Sequence, residues 1–262
     1  MNTKLSGAQL VLVPIQNLGA NRFPMVENLR DRVIKYIDFY PCAYLPGVST
    51  AGVTSSQDMY ITIKNVQGNM NLHDALPLAR LDYTQTLGVR TPIFSKIGLQ
   101  PSFVDCQDAS QIGKVAAFVF WYDLPQYSQR NATTELITDA VSVPLTTAIR
   151  YNLLPDNERM NGKRFRRILL GTPTTTPDLQ TGLDASKLAN VYLTLRRGSY
   201  NIIQDIPVML LYQMQMMEKS EFQNIIFDFH SSYLTIGGAG TIPNVLTDYI
   251  GKSVFFNLQY EK

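Results

Sequence analysis

Apolar residues along the chain fall mostly in short runs that alternate with polar ones every second position. Asp58-Met59-Tyr60-Ile61-Thr62-Ile63-Lys64 and Asn190-Val191-Tyr192-Leu193-Thr194-Leu195-Arg196 show the pattern most cleanly. Prolines and Gly/Ser/Thr/Asn clusters separate the runs, as in Pro46-Gly47-Val48-Ser49-Thr50 and Thr172-Pro173-Thr174-Thr175-Thr176-Pro177. Short runs rich in Val, Ile, Tyr, Phe and Thr between turn signals predict the strands of an all-β sandwich or barrel. At the usual strand length, half of this chain holds roughly seven to nine strands with their loops, which fits an eight-stranded jelly roll. An immunoglobulin-like sandwich is the rival architecture, but the Cys…Trp…Cys spacing that marks it is absent. Helical periodicity is weak and confined to 145–154 and 214–223. The apolar run 206–213 that precedes the second of these predicts a strand buried on both faces. A short membrane-lying helix is the alternative there, and the lack of a basic face beside the methionines disfavours it.

The chain also repeats itself. Asp58–Lys64 and its counterpart beginning at Asn190 lie 132 positions apart (190 − 58). In the same order, Val11-Leu12-Val13-Pro14 matches Val141-Ser142-Val143-Pro144, Pro24 matches Pro155, Arg32 matches Arg164 and Pro41 matches Pro173. His73-Asp74-Ala75-Leu76-Pro77 resembles Gln204-Asp205-Ile206-Pro207, and Gly113-Lys114 pairs with Gly251-Lys252. The final strands of both copies close on a tyrosine and an acid, Tyr122-Asp123 and Tyr260-Glu261. Each match alone is weak; their shared order and slowly drifting offset predict a tandem duplication with loop insertions between strands. The expected organisation is an N-terminal arm at 1–10, a first barrel at 11–123, an inter-barrel connector at 124–140 and a second barrel at 141–262. The connector's mixed polarity predicts an ordered surface segment and not a Gly/Ser tether.

Composition narrows the function. Among 262 residues the apolar fraction is 45% and the charged fraction 17%, which describes a chain that buries a core. A net charge of +2, with both signs mixed along the chain, lacks the basic face that phosphate neutralisation needs, so no direct nucleic-acid binding is expected. The run Leu10-Val11-Leu12-Val13 stops at Pro14 without a basic flank or cleavage site, so synthesis and folding in a cytoplasm are expected. Cys42 and Cys106 are too few for a structural zinc site and read as isolated small residues.

Catalytic chemistry is hard to find. His73 and His230 fall at non-equivalent places in the two copies, where a metal-binding duplicated barrel needs clustered histidines. There is no Gly-x-Ser-x-Gly, no Cys with a nearby His and no phosphate-binding loop; Gly237-Gly238-Ala239-Gly240 reads as a tight turn. The loop from Asp178 through Asp184 to Ser186 places oxygen donors around a glycine but does not fit the standard calcium loop. Asn131-Ala132-Thr133 is a formal glycosylation acceptor without a secretion context. Lys163-Arg164-Phe165-Arg166-Arg167 is the densest basic run; on a regular strand, Arg164 and Arg166 face one way and Lys163, Phe165 and Arg167 the other. Phe118, Phe120, Trp121 and Tyr122 occupy one strand, whose two faces should both be covered by protein. No catalytic and no cofactor-binding residue is therefore assigned, and no metal ligand is located.

Two barrels in one chain without catalytic residues resemble the double jelly-roll major capsid proteins of membrane-containing icosahedral phages, with the compact loops most similar to the corticovirus type. The paired strands 59–64 and 191–196, 32–41 and 164–173, and 113–123 and 251–261 carry the likeness across nearly the whole chain. The resemblance implies two tandem eight-stranded jelly-roll β-barrels with short helices in loops, upright in a virion capsid shell. It implies a homotrimeric capsomer of pseudo-hexagonal outline that contacts neighbouring trimers, a vertex (penton) protein, and an internal viral membrane or its proteins at the capsomer base. It also implies that no cofactor is required, with calcium as the ion such shells admit for structural support. A trimer of a duplicated chain approximates sixfold symmetry from one gene product. The alternative reading is a tandem β-sandwich binding module, such as a phage spike, fibre or lectin-like domain, and a bicupin or glycosidase ranks third.

Overall fold

The computed structural model describes residues 7–84, 86, 90–122, 136–153, 160, 162–171, 181–183, 185–216, 225–241 and 245–261. The protein is all-β, and its contacts divide it into two units. The first comprises Ala8–Leu45 and Thr50–Asp123; the second is chiefly residues from Leu124 to the C-terminus.

Among the described residues the first unit has seven strands: β1 (Gly7–Pro14), β2 (Gly19–Arg22), β3 (Val33–Phe39), β4 (Met59–Asn65), β5 (Asn71–Pro77), β6 (Pro92–Cys106) and β7 (Val115–Tyr122). β7 lies between β1 and β3, and β3 pairs antiparallel with the start of β6. The end of β6 lies between β2 and β4, and β4 pairs with β5. The 15-residue β6 thus serves two sheets, turning a corner at Gly98–Pro101, where a side chain on Gly98 would sit 2.7 Å from the Asn65 carbonyl oxygen. Alternate residues point inward to a shared core: Val11, Val13, Ile37, Phe39, Ile61 and Phe118 are all buried. The Phe118 ring lies 5.2 Å from Phe23 and 5.5 Å from Phe39. Each such aliphatic or aromatic side chain stabilises the fold by about 1.5–3 kcal/mol when fully buried.

The second unit has β8 (Leu136–Pro144), β9 (Arg150–Asn152), β10 (Arg164–Gly171), β11 (Thr181–Gly182), β12 (Val191–Arg197), β13 (Tyr200–Pro207), β14 (Ile225–Ile226), β15 (Tyr233–Ile236) and β16 (Lys252–Glu261). Two helices, α1 (Ala185–Leu188) and α2 (Val208–Met216), accompany them. The pairing order follows that of the first unit. β16 lies between β8 and β10, and β10 pairs with β14. β15 lies between β9 and β12, and β12 pairs with β13. The single strand β6 is matched here by two short ones, β14 and β15, with a turn at 228–231 between them. A bulge between Ile34 and Tyr36 on β3 recurs between Phe165 and Arg167 on β10. The core gathers Phe165, Phe227, Phe229 and Tyr260, with Phe165 and Phe227 at 4.4 Å.

Several sequence expectations need correction. The arm at 1–10 is too long: β1 begins at Gly7, and Ala8 and Leu10, on the face opposite Val11 and Val13, are buried because protein covers both faces of this strand; 1–6 lie outside the described residues. The connector at 124–140 is likewise too long, since β8 begins at Leu136 and pairs along β16 from Leu136↔Glu261; 124–135 lie outside the described residues. The helix-like segment 145–154 contains β9 instead. Of the run 206–213, only Ile206 and Pro207 are strand. Proline ends β13, and from Val208 the chain is helical, packing α2 on β10, β12 and β13. Of the expected helix at 214–223, only the residues to Met216 are described as helix, and 217–223 lie outside the described residues. The bulge after Phe165 breaks the two-residue alternation expected for 163–167.

Candidate interaction surface

Each unit closes its first strand against its last in the same way. The Ile15 N–H donates to the Lys114 carbonyl (2.9 Å) and the Gly113 N–H to the Ile15 carbonyl (2.8 Å). In the second unit the Leu145 N–H donates to the Lys252 carbonyl (2.8 Å) and the Gly251 N–H to the Leu145 carbonyl (3.0 Å). Gly113 (φ 84°) and Gly251 (φ 77°) occupy the left-handed region that glycine enters without a Cβ penalty. Directly before each glycine stands an exposed isoleucine, Ile112 (42%) and Ile250 (46%). The turn after the first strand of each unit carries a second exposed aliphatic, Leu18 (56%) and Ile149 (51%). Scattered exposed apolar residues need no explanation, but a pair that recurs at matching places in both units is not scatter. In the second unit an open cleft of about 360 Å3 lies beside Ile250, bordered by Pro144, Leu145, Thr146, Ile250 and Gly251.

Two buried polar contacts also recur; the serines were not among the sequence matches, whereas Thr62 and Thr194 stand at the same place in the matched segments 58–64 and 190–196. Ser102 and Ser232 are fully buried. Ser102 Oγ accepts from the Lys64 N–H (2.9 Å) and donates to the Gly98 carbonyl; Ser232 Oγ accepts from the Arg196 N–H (3.0 Å) and donates to the Asp228 carbonyl (2.7 Å). Each serine therefore ties the corner between sheets to the strand beside it. Thr62 Oγ1 accepts from the Ala75 N–H (3.2 Å), and Thr194 Oγ1 from the Asp205 N–H (3.1 Å), where Ala75 and Asp205 both have positive φ. The repeat paired the two threonines but not their partners, and Ser102 and Ser232 carry no pattern of their own; only the paired backbone geometry reveals these ties.

One polar cluster does not recur. On the face of β3 and β7 that points away from the first core, Trp121 Nε1 donates to Asp38 Oδ2 at 2.6 Å. Arg90 reaches the same carboxylate through Nη2 (3.0 Å to Oδ2) and Nε (3.3 Å to Oδ1). Its guanidinium carbon stands 4.8 Å from the Trp121 ring centroid and 5.7 Å from that of Tyr36. The side chains of Asp38 and Arg90 are 5% and 16% exposed. The sequence singled out Trp121 but neither of its charged partners, because Asp38, Arg90 and Trp121 are far apart along the chain.

The remaining candidates stay apart. Cys42 and Cys106 are buried thiols outside any disulfide, and burial raises the Cys106 pKa. His73 lies half-buried on β5, its pKa lowered by desolvation against a raising hydrogen bond to the Leu72 backbone; its Nε2 has no protein partner. His230 is exposed in the turn before β15. Gly238 and Gly240 are turn residues with positive φ. Among the described residues no three of His, Cys, Asp and Glu are grouped to hold a metal. Asp178, Asp184, Asn131 and the side chains of Arg166 and Arg167 lie outside the described residues. A void of about 10 Å3 in the second core is lined wholly by apolar side chains, Leu193, Phe229 and Phe256 among them. Among the described residues no helix is long and apolar enough to cross a membrane. Compared with known protein families, curated proteins and solved structures, the chain gives no match in any of the three.

Proposed function

We propose that the chain is a double jelly-roll major capsid protein, forming pseudo-hexagonal homotrimers that assemble into an icosahedral shell around an internal membrane. The observation that carries this reading is the common pairing order of the two units. In the first, β1, β7, β3 and the start of β6 make one sheet, and β2, the end of β6, β4 and β5 make the other. Counting β6 as two strands gives eight, wound between two sheets as in a jelly roll. The recurrent serines, bulges and closing glycines support descent of both units from one. The aliphatic pairs at Leu18/Ile112 and Ile149/Ile250 support an assembly role, since a surface that recurs with the repeat suits a partner that also recurs. Neighbouring trimers, a vertex protein and the membrane or its proteins are the partners this reading entails.

Solution mass tests it first. The expected result is a trimer near 89 kDa, three times the 29.5 kDa chain, whose electron micrographs show pseudo-hexagonal tiles. A chain that stays monomeric at high concentration and forms no tiles would overturn the reading and favour a tandem binding module.

A further inference from the structure

Asp38, Trp121 and Tyr36 form a preorganised receptor for a guanidinium group, and we infer that this is a binding site in its own right, filled in cis by the side chain of Arg90. The three receptor groups come from two paired strands. Tyr36 lies directly opposite Trp121 in the β3–β7 register, and Asp38 lies two residues further along β3 on the same face. Strand pairing, not the arginine, therefore sets their spacing. The indole N–H fixes one carboxylate oxygen at 2.6 Å, which leaves the carboxylate aimed at a second donor.

The chemistry selects for a guanidinium. Arg90 meets both carboxylate oxygens through Nε and Nη2 while its plane carbon stands over two aromatic rings. A forked planar cation satisfies all of these contacts together; an ammonium is a point charge that cannot span both oxygens. Arg90 lies two residues before the start of β6, and Pro92 is the β6 residue opposite Tyr36, so the bound arginine also holds the entry of β6 onto β3.

The fold does not require the receptor. In the second unit, Leu169 opposite Asn257 takes the place of Asp38 opposite Val119, and Gln259 takes the place of Trp121. That unit has the same strand order without a carboxylate or an indole there. The receptor is an addition to the first unit, and its ligand class is an alkylguanidinium, which any arginine side chain supplies.

Trp121 is the chain's single tryptophan, so its fluorescence reports on the site directly. In full-length Arg90→Ala, acrylamide quenching of Trp121 should rise by about twofold or more as the ring loses its cover. Ethylguanidinium at concentrations far below denaturing ones should reverse that rise saturably, and ethylammonium should be weaker by about tenfold or more. Adding Asp38→Asn to Arg90→Ala should abolish the response. No saturable response to ethylguanidinium, an equal response to ethylammonium, or an undiminished response in the double variant would each overturn the inference. Should Arg90→Ala fail to fold, full-length Arg90→Lys keeps the charge and loses the fork; raised quenching that ethylguanidinium lowers supports the site, and quenching unchanged from the parent overturns it.

Discussion

β7 and β16 hold the same place in their units, each closing against the first strand on one side and the third on the other. Inward, they are alike: Phe118 and Phe120 on β7 correspond to Phe256 and Leu258 on β16, and all four are buried. Outward, they differ. β7 carries Val115, Ala117, Val119 and Trp121, every one buried, whereas β16 carries half-buried Phe255 and Gln259 and exposed Asn257. The inner face therefore sets strand order, since it alone is common to both units. The outer face records what each sheet must pack against, and duplication leaves it free to diverge.

The largest test of this contrast exchanges one outward residue each way. Val119→Asn should destabilise the first unit by about 3 kcal/mol, because it removes a buried aliphatic and buries an amide. Asn257→Val should change stability by less than about 0.5 kcal/mol, as expected of an exposed site. Denaturant unfolding followed by Trp121 fluorescence, with hydrogen exchange for the second unit, measures both; equal costs would break the contrast.

The serines test the likeness instead. Ser102→Ala and Ser232→Ala should each cost about 1–3 kcal/mol, since each leaves a buried backbone N–H, of Lys64 or Arg196, without its acceptor. Hydrogen exchange should show each loss confined to its own unit. A neutral result at either position would mean that the two corners are not held alike. Smaller again, Gly113→Ala and Gly251→Ala should each cost about 1 kcal/mol through the positive φ alone, because nothing lies within 4 Å to clash with an added Cβ. Matched shifts in thermal midpoint would sharpen the equivalence of the two closures.

The two units should also respond to acid with opposite signs. Asp205, in the second, has its pKa raised chiefly by burial, against lowering contacts from Thr194, Arg150 and Gln204. A raised folded pKa favours the protonated form, so this contribution is present below the unfolded value and is lost as pH rises through the folded one. In the first unit Asp108 is lowered by hydrogen bonds from Gln111 and Ser110, so its contribution is present above the unfolded value and is lost as pH falls. His73, lowered by desolvation, adds to the same trend: below about 6.5 the unfolded chain takes up the proton first and the first unit weakens. Asp205→Asn should flatten the second unit's dependence between neutral pH and the carboxylate range, and hydrogen exchange at two pH values reads it out. An unchanged slope would sink the Asp205 assignment.

Much of the fold was legible because period-two patterning marks strands without tertiary help. Met59–Asn65 and Val191–Arg197 stand where the alternation placed them, and Gly113 and Gly251 close their units at the positions the repeat paired. Boundaries were less legible. Gly7 and Leu136 begin strands inside segments that read as an arm and a connector, because small or mixed-polarity residues look like loop until a partner strand pairs with them. The run after Pro207 misled for a different reason: near-continuous apolarity suits a buried strand and a buried helix equally, and packing on β10, β12 and β13 decided for helix. Of the candidate surface, no single residue carried a signal, since Leu18, Ile112, Ile149 and Ile250 are ordinary in sequence and meaningful only through their exposure at matching places in the two units.

The amino-acid sequence by itself determined an all-β chain with an internal repeat, because alternation and turn chemistry are local properties that survive without partners. Only the tertiary structure decided the contacts that join distant positions: the serine ties at the two corners and the Arg90 grip on Asp38 and Trp121, whereas the burial of both faces of β7 was already legible in its consecutive aromatics. The physical reason is the same in each case. A hydrogen bond or ion pair between residues tens of positions apart has no periodicity to betray it, and forms only once strand pairing has fixed where each side chain points.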